Sequence, residues 1–533
     1  MKLSLTKLTL CAIGLSWCAV TVAQSPDSPM RGGSVAIPIH VGEPSTYDCH
    51  ATNSPAVMWR ISPHYSTLIK IDADRFPEVK GDLAKSWTVS SDGLAYTFKL
   101  HSGVKFHDGS LLTSEDVKVS FDRMRNPPPG VISLRQGMLS EVTGIETPDA
   151  QTVVFRFVRP SASALQLLGM PYGCIYSAKM LASEPAYPGK RVMGTGPFKF
   201  IRHTPGAEWV GERFDGYFQQ PKPYLDGFRL LSVSPVAATN ALIAGQAQFS
   251  MQGFTPAEVS RISAARGASV KIFGGKEATT FLPWFALNTQ RPSLKDERVR
   301  RALNLAIDRW GSSHAMEQLT PMYRVGGLVR PGSRFARSEV ELSTLPGFGR
   351  DINVAREEAR RLLAAAGQSN LKLTLVNNRA FTYFGVFVTD QLRQIGVTVE
   401  NLTLDTPQIA ARRTSGDYDM IFDSTTEYVD DPTIQLGYFE SFGTNRNNLA
   451  RVSDPQFDEI FLVQQSDFNL ISRTKRVREM EAYLMQKSYV IPLFWQSRKR
   501  AVDARVHGLE NEPKSNYLNL DLADIWLEKG GLQ

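Results

Sequence analysis

The sequence predicts a large α/β protein built in more than one lobe, and three observations carry that expectation. Its 533 residues are two to three times the length of an ordinary single domain. The first half reads as short strands joined by tight turns, whereas the chain beyond about residue 290 alternates strands with capped helices; the texture changes near residues 280–290. Past the first two dozen residues no run of 18 or more apolar residues occurs, which argues against a membrane-spanning body.

The elements follow in chain order. Residues 33–39, Gly-Ser-Val-Ala-Ile-Pro-Ile, form a short apolar strand, and residues 65–71 alternate. Residues 87–107 hold three period-two runs separated by Ser91-Asp92-Gly93 and Ser102-Gly103, which predicts a three-stranded meander. A helix starts at Thr113 or Ser114. Ser293 to Asp296 signals the start of a helix running to Asp308, with Val299, Ala302, Leu303, Ala306 and Ile307 on one face. Residues 351–366 repeat that pattern and stop at Gly367. A strand over 371–376, a loop through Arg379, a helix to Leu392 and a strand over 397–404 complete a βαβ-like unit. Residues 24–33 read as a mobile arm.

Composition narrows the class without giving chemistry. Hydrophobic residues at 42%, charged at 21% and aromatics at 10% exclude collagen, a disulfide scaffold and wholesale disorder. The formal charge of +7 falls to +5 without Lys2 and Lys7. Basic residues are dispersed, with short clusters only at Arg412-Arg413 and Arg498-Lys499-Arg500, so no nucleic-acid partner is expected.

Residues 1–23 read as an export signal: Lys2 and Lys7, an apolar stretch over 8–22, and a small residue, Ala23, as the cleavage point. Cys11 and Cys18 follow bulky residues, which favours a free exported protein over a lipid-anchored one. The mature chain then keeps Cys49 and Cys174. In an oxidising compartment these are either a disulfide or two separately buried thiols, and the even pair favours the bridge.

Motifs for catalysis are weak. Gly194-Thr-Gly196 lacks the third glycine of a dinucleotide loop, and Ser472-x-x-Lys475 lies in a charged helical run without companions. The eight histidines never fall at metal-ligand spacing. No catalytic residue, metal or cofactor is expected.

Residues 83–100, Leu-Ala-Lys-Ser-Trp-Thr-Val-Ser-Ser-Asp-Gly-Leu-Ala-Tyr-Thr-Phe-Lys-Leu, continue through Gly103-Val-Lys-Phe-His-Asp-Gly109 to Glu115-Asp-Val. Further blocks follow in order: Gly194-Thr-Gly-Pro-Phe-Lys-Phe200, Asn288 with residues 296–302, residues 359–367, Gly396-Val, Gly416-Asp-Tyr-Asp419 and Asp454-Pro-Gln-Phe-Asp458. Together they resemble the family 5 extracytoplasmic solute-binding proteins, the binding components of peptide/nickel-type ABC importers. The resemblance implies a type II two-lobed periplasmic binding protein of the large cluster, with an extra N-terminal subdomain and two crossing strands at the hinge. The implied division is residues 24–283 for the first lobe, with a subdomain inserted at about 73–185, then 284–490 for the second lobe, and 491–533 returning to the first. It also implies a monomeric receptor in the periplasm. Such a receptor captures a small organic solute, a peptide above all, and passes it to an ABC permease in the inner membrane. A non-peptide solute, such as an opine-like acid or sugar conjugate, is the alternative, and an exported enzyme is a third.

The resemblance also suggests ligand contacts. In peptide-binding relatives an aspartate shortly before an acidic-Pro step holds the ligand's ammonium group; aligned on Pro432, its place falls on Tyr428. A phenol cannot supply that charge-assisted bond, so Glu427 or Asp430 would have to substitute. Arg379 lies where dipeptide-binding relatives hold a ligand carboxylate, with a surface arginine as the alternative. Trp284 and Trp495, on the expected crossing strands, either wall the pocket or pack the lobes. Thr46 and His50 follow the first strand, where loops approach the cleft; for His50 a structural place beside Cys49 is the alternative.

Overall fold

The computed structural model describes residues 28–72, 75–275, 281–426, 429–509 and 521–528. The leader therefore lies outside the described residues. The expected arm over 24–33 is tied down in its described part: Gly32 N donates to Tyr224 O at 2.9 Å and Gly33 N to the Asp226 carboxylate at 2.8 Å.

The first lobe is organised by a four-stranded sheet in the order Ser34–Ile39, Gly227–Ser232, Glu208–Arg213, Phe198–Thr204. The first pair is parallel and the others antiparallel. Val35, Ile37 and Ile39 are buried together on its core face, as period-two alternation requires. A subdomain inserted into this lobe has its own antiparallel sheet, Ala84–Val89, Ala95–Leu100, Thr152–Phe157, Val142–Asp149, and its own core. Helix Ser114–Arg125 packs on it through Phe121, edge-on to Phe155 at 5.0 Å. Thr113 and Asp116 close that helix's start with a reciprocal capping box.

The expected meander is corrected here. Residues 104–106 do not pair with Ala95–Leu100, because strand Thr152–Phe157 takes that edge. They fold back on 110–112 instead, with Phe106 N to Ser110 O at 2.8 Å and Leu112 N to Val104 O at 2.9 Å. Local alternation cannot reveal a strand supplied from fifty residues away.

The second lobe holds a five-stranded sheet in the order Thr398–Leu404, Lys372–Asn378, Met420–Thr426, Phe281–Leu287, Val490–Pro492. Strand Phe281–Leu287 is antiparallel to both neighbours, and the other pairs are parallel. Its continuous apolar run reflects burial on both faces: Leu282, Trp284 and Ala286 enter one core, Phe285 and Leu287 the other. Helices Glu297–Leu305, Ile352–Ala365 and Thr382–Arg393 contribute to the second of these cores, and helix Leu470–Lys487 to the first. Asp296 and Asp351 cap their helices as expected, and Gly367 ends the second in a left-handed conformation at φ 68°.

Two crossings connect the lobes. Strand Val270–Gly274 pairs with Lys499–Asp503 in the first lobe, and the next strand, Phe281–Leu287, already belongs to the second. The return crossing lies after Gln496, later than the expected 490/491, because Ile491, Leu493, Phe494 and Trp495 are all buried in second-lobe cores.

Candidate functional site

Past strand Met420–Thr426 the chain leaves the second lobe's sheet and enters the seam between the lobes. Val429 is wholly buried within the first lobe's core. Asp430 and Asp431 follow, only 3% and 2% exposed. Carboxylates that deep require compensation, and each has its own arginine.

The Arg330 guanidinium donates to Asp430 Oδ1 from Nε at 3.3 Å and from Nη2 at 3.1 Å. It lies over the Phe76 ring of the first lobe, 5.1 Å from the centroid. Arg473 Nη2 donates to both oxygens of Asp431 at 3.1 Å, and the Ser163 hydroxyl of the first lobe donates to Oδ1 at 2.7 Å. Asp431 also caps helix Pro432–Leu436 by accepting from Thr433 N at 2.9 Å, the arrangement an Asp-Pro step favours. Beside these pairs lies a cavity of about 350 Å³. Val79, Leu165 and Gln166 of the first lobe and Phe335, Asp430 and Arg473 of the second line it. Its wall offers apolar area together with charged side chains of both signs, among them the Arg473–Asp431 pair and Arg334.

The residues expected to contact ligand are mostly not gathered here. Glu427 and Tyr428 lie outside the described residues. Asp430 is in the seam, but engaged by Arg330, so it is no uncommitted partner for an ammonium group. Arg379 is 68% exposed and paired with Asp405 at 2.8 Å, on the surface beyond strand Lys372–Asn378. Replacing it with Ala is expected to change stability by less than ~0.5 kcal/mol, as for other exposed pairs, with a melting curve as the check.

His50 is fully buried and its ring is committed. Nδ1 accepts from Arg123 at 3.1 Å, so Nε2 carries the proton and donates to Cys174 O at 3.0 Å. Burial pushes its pKa down to about 4. Thr46 Oγ1 accepts from Asp48 N at 3.1 Å and shapes the same loop. Trp495 is fully buried in the second lobe's core and its indole donates to Gly327 O at 2.8 Å, which corrects the expected pocket wall. Trp284 packs in that core against the Tyr438 and Phe439 rings. Ser472 and Lys475 form no nucleophile pair: the hydroxyl donates to Asp467 at 2.5 Å and the ammonium pairs with Glu479. Cys49 and Cys174 do form a disulfide, with Cα atoms 6.5 Å apart.

Sequence reasoning missed Phe76, Ser163, Arg330 and Arg473. None sits in a block that carries the family resemblance. The available signal was Asp430-Asp431-Pro432 itself, since two adjacent acids that become buried demand two cations.

A second acidic group faces the seam. Burial raises the Glu440 pKa to about 7, helped by Asp458 beside it and Glu141 across the seam, while Arg159 opposes the shift. Glu141 is raised as well by burial, despite its 2.8 Å pair with Arg159. A carboxylate raised on folding takes up a proton that the unfolded chain releases. Its contribution to stability therefore grows as pH falls from about 7 towards the ordinary value of 4.5. Glu440→Gln is expected to be more stable than the parent near pH 8, with the advantage vanishing near pH 5; parallel denaturation curves at the two pH values check this.

Two α/β lobes, joined by two crossings and meeting across a seam that holds a cavity, define a bilobal binding protein. Residues 78–447, more than half of the chain, match Bacterial extracellular solute-binding proteins, family 5 Middle, and the chain belongs to that family. The glutathione-binding protein GsiB of Salmonella typhimurium is 25% identical over 544 residues, covering 98% of this chain and 99% of its own. Among solved structures, the periplasmic binding protein DppA of Helicobacter pylori in complex with the peptide STSA superposes with a TM-score of 0.81 at 22% identity, covering 94% of this chain and 99% of that one. The binding protein AgaA of A. tumefaciens R10 in complex with agropinic acid gives 0.79 at 23% identity, with the same coverage. Among the described residues, no helix is long and apolar enough to cross a membrane.

Proposed function

We propose that this chain is an exported, non-enzymatic receptor that captures a short peptide between its lobes and presents it to an ABC permease in the membrane. The observation that carries the proposal is the seam: residues 429–433 are held by both lobes at once, so contacts made there exist only when the lobes meet. A solute held by both lobes favours the closed form by its difference in affinity for the two forms. Peptide is the first choice because relatives covering most of the chain are named as peptide-binding or di/tripeptide-binding proteins.

One observation favours a second reading. Asp430, the described acid nearest in sequence to the expected ammonium position, is neutralised by Arg330 and so is not free to hold a peptide's amino terminus. A solute without a free amine, such as an opine-like acid, suits that arrangement.

The test is to purify the exported protein gently, denature it, and identify released compounds by mass spectrometry. Short peptides are the expected result. A single compound lacking an α-amino group would replace the peptide assignment with the second reading. Turnover of the bound compound by the purified protein would overturn the receptor proposal.

A further inference from the structure

The strip Pro160 to Ser163 of the inserted subdomain bonds directly to three separate pieces of the second lobe. Ala162 N donates to Gln465 O at 2.8 Å. The Ser466 hydroxyl donates to Pro160 O at 3.2 Å. Ser163 is wholly buried and enters the Asp431–Arg473 pair: its hydroxyl donates to Asp431 and accepts from Arg473 Nη2 at 2.8 Å. Thr433 Oγ1 lies 2.7 Å from the Ser163 oxygen, and Gln464 braces both, donating to Thr433 at 3.0 Å and accepting from Arg473 Nε at 3.2 Å. Next to this strip, Phe468 of the second lobe covers the turn at Gly93, where an added Cβ would come within 3.3 Å of its ring.

We propose that Ser163 and Arg473 are the positioning residues of an interlobe latch that holds the lobes together without any solute between them. The inference rests on the two-lobed receptor reading above and adds what biases closure. Three features carry it. The Ala162–Gln465, Ser466–Pro160 and Ser163–Asp431 bonds each join one lobe directly to the other, leaving no gap there for a solute to bridge. The groups are mutually satisfied: Asp431 is neutralised by Arg473, and the single Ser163 proton goes to the carboxylate while its oxygen accepts from the cation. The same carboxylate caps helix Pro432–Leu436, so engaging Ser163 also fixes the loop carrying Asp430 beside the cavity. Opening the seam returns these groups to water, so their net hold is a small part of their gross strength. The latch therefore biases closure without locking it, and solute binding starts from a population already shifted towards the closed form.

The Ala162 amide reports on the latch, because its hydrogen bond crosses the seam. The experiment is amide hydrogen exchange on the full mature chain, stripped of solute by unfolding and refolding, with no solute added. In the parent protein Ala162 is expected to be protected. In Ser163→Ala it is expected to exchange at least ~10-fold faster, the loss of a hydrogen bond to a charged group, while strand Thr152–Phe157 of the same subdomain keeps its protection. Ser163→Ala leaves Asp431 and Arg473 paired within the second lobe, so its folding is not at issue. Arg473→Lys, which keeps the charge but loses the fork, is expected to fall between the two. An unprotected Ala162 in the stripped parent would overturn the proposal. So would an unchanged Ala162 in Ser163→Ala, or a uniform acceleration through the subdomain, which would make Ser163 a support of its own lobe. No solute enters the measurement, so a failed peptide assignment leaves it standing, and its own failure leaves the receptor assignment standing.

Discussion

Cys49→Ser is expected to destabilise the first lobe by about 2–5 kcal/mol, as loss of a native disulfide does. The bridge joins residues 125 apart, and closing so long a loop in the unfolded chain removes much of its entropy; the chain-entropy argument gives ~4–5 kcal/mol for loops of this size. Tyr176 OH donates to Asp48 Oδ1 at 2.9 Å and accepts from Cys49 N at 3.0 Å, and Arg123 pairs with Asp48 at 2.5 Å. These bonds keep the two segments adjacent in the folded state whether or not the sulfurs are joined, so the effect acts mainly through the unfolded state. Unfolding followed calorimetrically without reductant should show the first-lobe transition lowered in the variant. With reductant present throughout, parent and variant should coincide. A variant that melts with the parent under oxidising conditions would mean that the bridge contributes no net stability.

Much of this architecture was legible in the sequence, and the reasons it was legible separate it from what was not. Helix starts at Ser114, Glu297 and Ile352 were readable because Thr113, Asp296 and Asp351 are local signals, acting within three residues of where they stand. The change of texture near residues 280–290 was readable because a strand buried on both faces has to be apolar throughout. The false third strand at residues 104–106 shows the limit: Val104 and Phe106 are buried as an alternating strand predicts, yet the sheet edge is filled from residue 152 onwards. The site is harder still. Phe76, Ser163, Arg330 and Arg473 converge from four distant stretches, and nothing in the neighbourhood of any one of them announces the others. Arg379 and Trp495 misled for a related reason. A charged residue after a strand and a tryptophan near a crossing have the same local pattern on the surface, in a core or in a cleft; only the packing of the whole lobe decides among them.

Arg330→Ala is expected to destabilise the protein by about 3–5 kcal/mol, because it strands Asp430 in a low-dielectric seam without its guanidinium. Both side chains are nearly inaccessible, 3% and 1% exposed, so water cannot take over the lost bonds without opening the structure. Asp430→Ala should also destabilise the protein, because it removes the buried carboxylate to which Arg330 donates twice. The pair itself need not be strongly stabilising, since desolvating two charges offsets most of their attraction. Replacing both partners at once, as in Arg330→Met with Asp430→Leu, should therefore recover most of the stability lost in either single variant. Equilibrium denaturation of the parent, the two singles and the double closes that cycle. If the double variant were as unstable as the sum of the singles, the two side chains would be acting independently and the seam would owe its order to other contacts. If it regained stability but lost the bound solute, the charges at Asp430 and Arg330 would be kept for recognition, with the fold bearing their burial.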